Sequence, residues 1–99
     1  MNYRLLTPAT EDLARIAHYY ERQYPGLGRE FLDEFDAVMS KVCSFPSAWK
    51  QIGARHRRCL FRRFPYAVLY TTSAESIVVS GVMDLRSDPE RFLERIRRT

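Results

Sequence analysis

The stretch TPATEDLARIAHYYERQYPGLGREFLDEF, residues 7–35, decides the fold. Thr7-Pro8 reads as a helix start: the Thr oxygen accepts a free N–H, and Pro at the first helical position needs none. Ala9, Leu13, Ile16, Ala17, Tyr20 and Tyr24 then recur at helical spacing, with Glu11 and Asp12 in the first turn, where the helix dipole favours acids. Pro25-Gly26 breaks the pattern. From Leu27 a second helix places Leu27, Phe31, Phe35, Val38 and Val42 on one face and Arg29, Glu30, Asp33, Asp36 and Lys41 elsewhere, until Phe45-Pro46 stops it. Helices joined by so short a break run antiparallel, so this is a helical hairpin.

Outward from the hairpin the period changes. Residues 2–6 are apolar enough for an opening strand. Residues 55–63, 66–72 and 77–82 are rich in aromatic and β-branched side chains, separated by Phe64-Pro65 and by Ser73-Ala74-Glu75-Ser76. Connections that short predict an antiparallel meander. Asp88-Pro89 opens a C-terminal helix carrying Phe92, Leu93 and Ile96 among Arg91, Arg95, Arg97 and Arg98. The expected class is α+β, ordered β-α-α-β-β-β-α. The helical hairpin packs on a mainly antiparallel, twisted sheet with a short C-terminal helix. The 99 residues are expected to form one domain, residues 1–99. A chain of that length buries roughly 60–65% of its unfolded surface, which suits one small core.

Composition narrows the function. Hydrophobic residues at 45% and charged residues at 28% are globular values and exclude a disordered or collagen-like chain. No apolar run reaches membrane-spanning length and the start has no signal-peptide core, so a cytoplasmic protein with no membrane partner is expected. Cys43 and Cys59 lack metal-ligand spacing and read as reduced, packed thiols, with no metal and no cofactor expected. A Gly-rich phosphate loop, GxSxG and HExxH are all missing from the sequence.

The charge is unevenly placed. Residues 1–54 hold six basic and seven acidic side chains, whereas residues 55–99 hold ten basic and five acidic, and 14 of the 16 basic residues are Arg. Guanidinium groups fit carboxylates and phosphates, so the bias points to an anionic partner. The densest run contains Arg55, Arg57, Arg58, Arg62 and Arg63, with no acid as far as Tyr70. Alternation puts Arg58, Leu60 and Arg62 on one face and Arg57, Cys59, Phe61 and Arg63 on the other, so both faces mix charge with apolar groups. Two readings stand at this point. The strand forms a cradle for phosphates or an acidic peptide, or it is a solvated strand whose arginines pair with Glu30, Asp33, Glu34 and Asp36.

For proton transfer near neutral pH the chain offers two histidines. His18 lies mid-helix beside Tyr19 and Tyr20 and reads as a surface or packed residue. His56 sits among Arg55, Arg57 and Arg58, whose charge favours neutral imidazole and so a general base near a phosphate.

These residues resemble a known family. FRRFPYAVLY, residues 61–70, is similar to the strand–turn–strand signature of the RelE/ParE toxin superfamily, the toxic halves of type II toxin–antitoxin (plasmid stabilisation) modules. Residues 7–35 resemble its opening hairpin. Pro46 and Trp49 precede the arginine-rich strand as in many members, and LRSDPERFLER, residues 85–95, is similar to the closing segment and last helix. With the apolar strand at residues 77–83 before that segment, five pieces in matching order cover nearly the whole chain.

The resemblance implies one of two activities. RelE-like members cut mRNA on the ribosome; here His56, Arg57, Arg58, Tyr66 and Arg86 are the residues that would serve, with Tyr70 as a further phenol. Ala67 stands where such members typically place an arginine, residues 83–86 read MDLR without the histidine many members show, and the tail offers Phe92 but no Tyr, His or Lys. Arginine stabilises phosphorane charge but is a poor proton shuttle. ParE-like members poison DNA gyrase by binding it, which needs a surface and no proton relay. The closer resemblance is to this branch, with Arg55, Arg57, Arg58, Arg62, Arg63, Arg86, Arg91, Phe92 and Arg95 as the expected contacts to target or antitoxin. The implied partners are DNA gyrase, or alternatively ribosome and mRNA, and a cognate antitoxin with an acidic, flexible C-terminal segment. A third reading is a non-toxic nucleic-acid-binding module, stacking bases on Phe61, Tyr66 and Tyr70.

Overall fold

The computed structural model describes residues 1–98; Thr99 and the side chains of Pro89, Ile96 and Arg98 lie outside the described residues. The elements are β1 (Asn2–Leu5), α1 (Thr7–Gln23), α2 (Leu27–Ser44), β2 (Lys50–Ile52), β3 (His56–Leu60), β4 (Tyr66–Thr72), β5 (Ser76–Asp84) and α3 (Pro89–Arg98). The expected class and the packing of a helical hairpin on a sheet hold. The roles expected for Ile96 and Arg98 fall on side chains outside the described residues.

The sheet has five strands in the order β1-β5-β4-β3-β2. β1 runs parallel to β5, and the other pairs are antiparallel. The additional strand, β2, is three residues long and pairs Lys50 with Arg58 and Ile52 with His56 across a turn through Gly53. Three residues are too few to show a period in sequence. The arginine-rich run leaves the ladder after Leu60, where the N–H groups of Arg62 and Arg63 donate to the Glu34 carboxylate at 2.8 and 3.1 Å.

α1 starts one residue earlier than its sequence suggests. Leu6 is the cap, in extended conformation, and its C=O accepts from the N–H groups of Ala9 and Thr10 while its N–H donates to Val79 O at 3.0 Å. Thr7 is therefore already helical. Glu11 and Asp12 fall beyond the first turn, which carries no acid, so neither serves the dipole as expected and Asp12 is free for another task.

The hairpin closes through Gly26 at φ 89°, a conformation favouring glycine. Glu21 accepts from the N–H groups of Gly26 and Gly28, satisfying orphan donors at the start of α2. At Gly28 the helices touch: a Cβ there would lie 2.5 Å from Ala17 O.

Ala9, Leu13 and Ile16 from α1 and Phe31, Phe35, Val38 and Val42 from α2 are buried against one face of the sheet. Tyr24, expected on the apolar face of the first helix, is instead exposed beyond its end. The Phe31 and Phe61 rings stack at 5.0 Å, and Phe64, Tyr66 and Tyr20 close around them. Such aromatic pairs contribute about 0.5–1.5 kcal/mol each beyond area burial. Among the described residues no helix is long and apolar enough to cross a membrane.

Candidate functional site

β1 covers only the first part of β5. Past Val79 the outer edge of β5 would be left with unpaired backbone groups, a liability for any sheet edge. Side chains take the place of the missing strand. Asp12 Oδ2 accepts the Val82 N–H at 2.9 Å, and Arg95 Nη2 donates to Ser80 O at 3.3 Å. The two side chains also join each other at 2.7 Å, and Arg15 reaches the other Asp12 oxygen at 3.0 Å. Asp12 is buried, so its charge requires this full set of donors. The arrangement fits because position 81 is glycine: a Cβ there would lie 2.7 Å from Arg95 Nη2.

Beside this junction an open groove of about 370 Å³ runs between α1, the ends of β4 and β5, and α3, lined by Arg15, Tyr66, Val82, Asp84, Ser87, Arg91, Phe92 and Arg95. Arg86 flanks it. Its guanidinium pairs with both Asp84 oxygens at 3.1 and 3.2 Å, reaches Tyr66 Oη at 3.3 Å and lies 5.7 Å from the centre of the Tyr66 ring. Hydrogen bonding from Arg86 holds the Asp84 carboxyl below the usual carboxylate range, and the same pairing raises Arg86. Burial, followed by the neighbouring Tyr66, pushes Tyr20 up to about 12.

The arginine-rich strand resolves into both of the readings left open by its sequence. Arg63 pairs with Glu30 at 3.2 Å and Glu34 at 3.5 Å and lies 5.5 Å from the Phe64 ring centre. Arg57 donates to Trp49 O at 2.8 Å. These two arginines hold the strand to what surrounds it. Asp33 pairs with Arg29 on its own helix rather than with the strand. Among the described residues the guanidinium groups of Arg55, Arg58 and Arg62 have no ion-pair partner. Arg55 and Arg62 are exposed, and Leu60 between the latter two is 49% exposed. Arg55 also helps line a groove of about 460 Å³ with Gln51, His56, Arg57, Thr71 and Thr72.

The residues that RNA cleavage would use are not brought together. Arg57 lies opposite Tyr70 and so shares the helix-packed face with Tyr66 and Tyr70, while His56 and Arg58 alternate to the other face. His56 and Tyr66 also occupy opposite ends of the β3–β4 pair, five residues apart along β3, or roughly 16 Å. His56 is buried, and desolvation foremost, then Arg55, lowers its pKa. Tyr70 donates to Pro46 O at 2.7 Å, and burial pushes its phenol up to about 12.

Asp12, Arg15 and Glu34 went unmarked as site residues in sequence. The one local signal was an acid at an otherwise apolar helical position, Asp12 beside Leu13. Of the contacts expected from sequence, Arg91, Phe92 and Arg95 line the groove, Arg86 is anchored at its side, Arg57 and Arg63 hold the arginine-rich strand, and Arg58 lies on β3 with Arg55 just before it and Arg62 just after it.

A solved structure described as the chromosomal ParDE TA system from P. aeruginosa superposes with a TM-score of 0.64 at 13% identity, covering 87% of this chain and 97% of that one. At that identity the likeness establishes a shared fold. No curated protein sequence matches. The family model of the ParE toxin of the type II toxin–antitoxin system, parDE, matches residues 3–89, most of the chain and every element up to the start of α3. The chain therefore belongs to the ParE toxin family of type II toxin–antitoxin systems.

Proposed function

We propose that this toxin stops growth by binding and poisoning DNA gyrase, and that a cognate antitoxin silences it in the cytoplasm. The observation that carries this choice within the superfamily is the scatter of the proton-transfer candidates. His56 lies roughly 16 Å along the sheet from Tyr66 and on the other face, and the Tyr70 phenol is committed to Pro46 O. General acid–base chemistry at one phosphate needs its groups within hydrogen-bond reach of that phosphate. Binding a large target needs only a surface.

The antitoxin reading rests on charge and shape. Unpaired Arg58 and Arg62 flank exposed Leu60, with unpaired Arg55 further along, just before the strand, the complement of an acidic segment with an apolar stripe. Phe92 and Arg91 in the groove beside α3 extend the same chemistry. Arg57, Arg63, Arg86 and Arg95 support these contacts by holding the strand, the Tyr66 ring and α3 in place.

The test is gyrase supercoiling and cleavage-complex formation with purified, antitoxin-free protein. Inhibition or trapped double-strand breaks near stoichiometric toxin is the expected result. Folded protein that leaves gyrase untouched but cuts mRNA on ribosomes would overturn the proposal, and His56, Tyr66 and Arg86 would be the residues to mutate.

A further inference from the structure

A second basic surface lies on α1, in the half of the chain whose net charge is not positive. Arg15, His18, Tyr19, Arg22 and Gln23 line a shallow groove of about 420 Å³ on the outward face of this helix. It adjoins the groove beside α3, because Arg15 lines both. The band that results runs from Arg22 through Tyr19 and Arg15 to Arg91. It lies on the β5 side of the sheet, since α1 packs on β5 while α2 packs on β3.

We propose that this band binds the sugar–phosphate backbone of duplex DNA. Arg15 and Arg22 are seven residues apart on one helix, roughly 10 Å, so their guanidinium groups can reach separate phosphates of one strand. Arg22 and Arg91 are exposed and have no ion-pair partner among the described residues. Tyr19, 52% exposed with its ring edge against Tyr20, is a rigid donor between them. Asp12 and Asp84 beside the band are already paired with Arg15, Arg95 and Arg86, whereas Glu11, one turn before Arg15, and Asp88, Glu90 and Glu94, around Arg91, are exposed acids at its borders.

The lining also argues for nucleic acid over an acidic peptide. No aliphatic side chain lines the α1 groove, so an amphipathic partner has nothing to anchor in there, in contrast to Val82 and Phe92 in the adjoining groove, where antitoxin and DNA would share Arg91, and to exposed Leu60 beside the strand arginines. Base readout would need an element seated in a groove of the duplex, and the band offers only backbone-directed donors, so binding is independent of sequence. The inference goes beyond the gyrase reading and does not depend on it. On a target that works on DNA, the toxin would contact protein and DNA together.

The experiment is fluorescence anisotropy of the full-length toxin with a labelled duplex of roughly 20 bp across a salt series, without gyrase or antitoxin. Wild-type binding should weaken steeply with salt. Arg22→Gln with Arg91→Gln should lower the magnitude of the log–log salt slope by about 2, about 1 per lost phosphate contact. Arg22→Lys with Arg91→Lys should restore it, and Arg55→Gln with Arg58→Gln should leave it unchanged. Circular dichroism verifies folding of each variant.

No binding at low salt would overturn the inference, as would a slope lost only with Arg55 and Arg58, or displacement of DNA by polyglutamate at equal charge. A toxin that poisons gyrase but ignores DNA refutes this inference alone. One that binds DNA but spares gyrase refutes only the gyrase reading.

Discussion

The carboxylate of Asp12, in the second turn of α1, lies 2.7 Å from the guanidinium of Arg95, near the end of the chain. Through that contact the first and last helices meet over the edge of β5 that β1 leaves unpaired. The pair satisfies Ser80 O and Val82 N–H as a sixth strand would, and it fastens α3 beside the groove that holds Arg91 and Phe92.

Asp12→Ala removes the acceptor for a buried N–H and strands two guanidinium groups. Breaking buried networks of this kind costs about 3–5 kcal/mol, and Arg15 is solvated enough to place the expected loss near the lower end. Urea denaturation measures it. A loss under about 1 kcal/mol would mean water replaces the carboxylate at little cost.

Gly81→Ala tests the same junction without changing a charge. The new methyl would meet Arg95 Nη2 at 2.7 Å, so either the arginine or α3 must move. The expected cost is about 1–3 kcal/mol, as for other overpacked sites. Amide exchange should speed up in α3 while β4 stays protected. Unchanged exchange in α3 would show that Arg95 re-aims without releasing the helix.

Glu34 holds the turn between β3 and β4. Its carboxylate takes both the Arg62 and Arg63 N–H groups and pairs with the Arg63 side chain. Glu34→Ala should cost about 1.5–3 kcal/mol, the range for hydrogen bonds to a charged group. Arg63→Ala, which leaves the backbone bonds intact, should cost less. The order of the two, read from denaturation midpoints, is the test.

His56 is buried, with its pKa lowered below 6.5. The unfolded chain therefore binds a proton that the folded chain resists. Its contribution to stability is fully present above the unfolded pKa and is lost as pH falls through that value toward the folded one. NMR titration should find the His56 midpoint below 6.5, and His56→Gln should flatten the fall in stability between about pH 7 and 5. A midpoint at or above 6.5 would contradict the burial of the ring.

Tyr70→Phe removes only the bond to Pro46 O. Stability should fall by about 1 kcal/mol, and growth inhibition at equal folded protein should stay as it is. A loss of toxicity with retained fold would return Tyr70 to the catalytic candidates.

The hairpin was legible in sequence because its information is local. The 3.6-residue recurrence of Phe31, Phe35, Val38 and Val42 and the Pro25-Gly26 break state what α2 and the turn before it must be, and the buried runs in β4 and β5 do the same for the sheet. The family resemblance drew on the same local pieces. β2 was hidden by its three-residue length, and the start of α1 differed because Leu6 finds its partner in Val79.

The arginines divide differently. Their number, their excess over acids and their crowding into the second half are facts of sequence. Arg15, Arg29 and Arg86 find acids within four residues, but Arg63 and Arg95 are anchored by acids far away along the chain: Glu30, 33 residues from Arg63, and Asp12, at the other end of the fold from Arg95. The same holds for Val82, whose N–H finds Asp12 across 70 residues. Local pattern determines period, hence helix and strand. Pairing of charges depends on distance in space, and only the packed sheet and helices bring those side chains within reach.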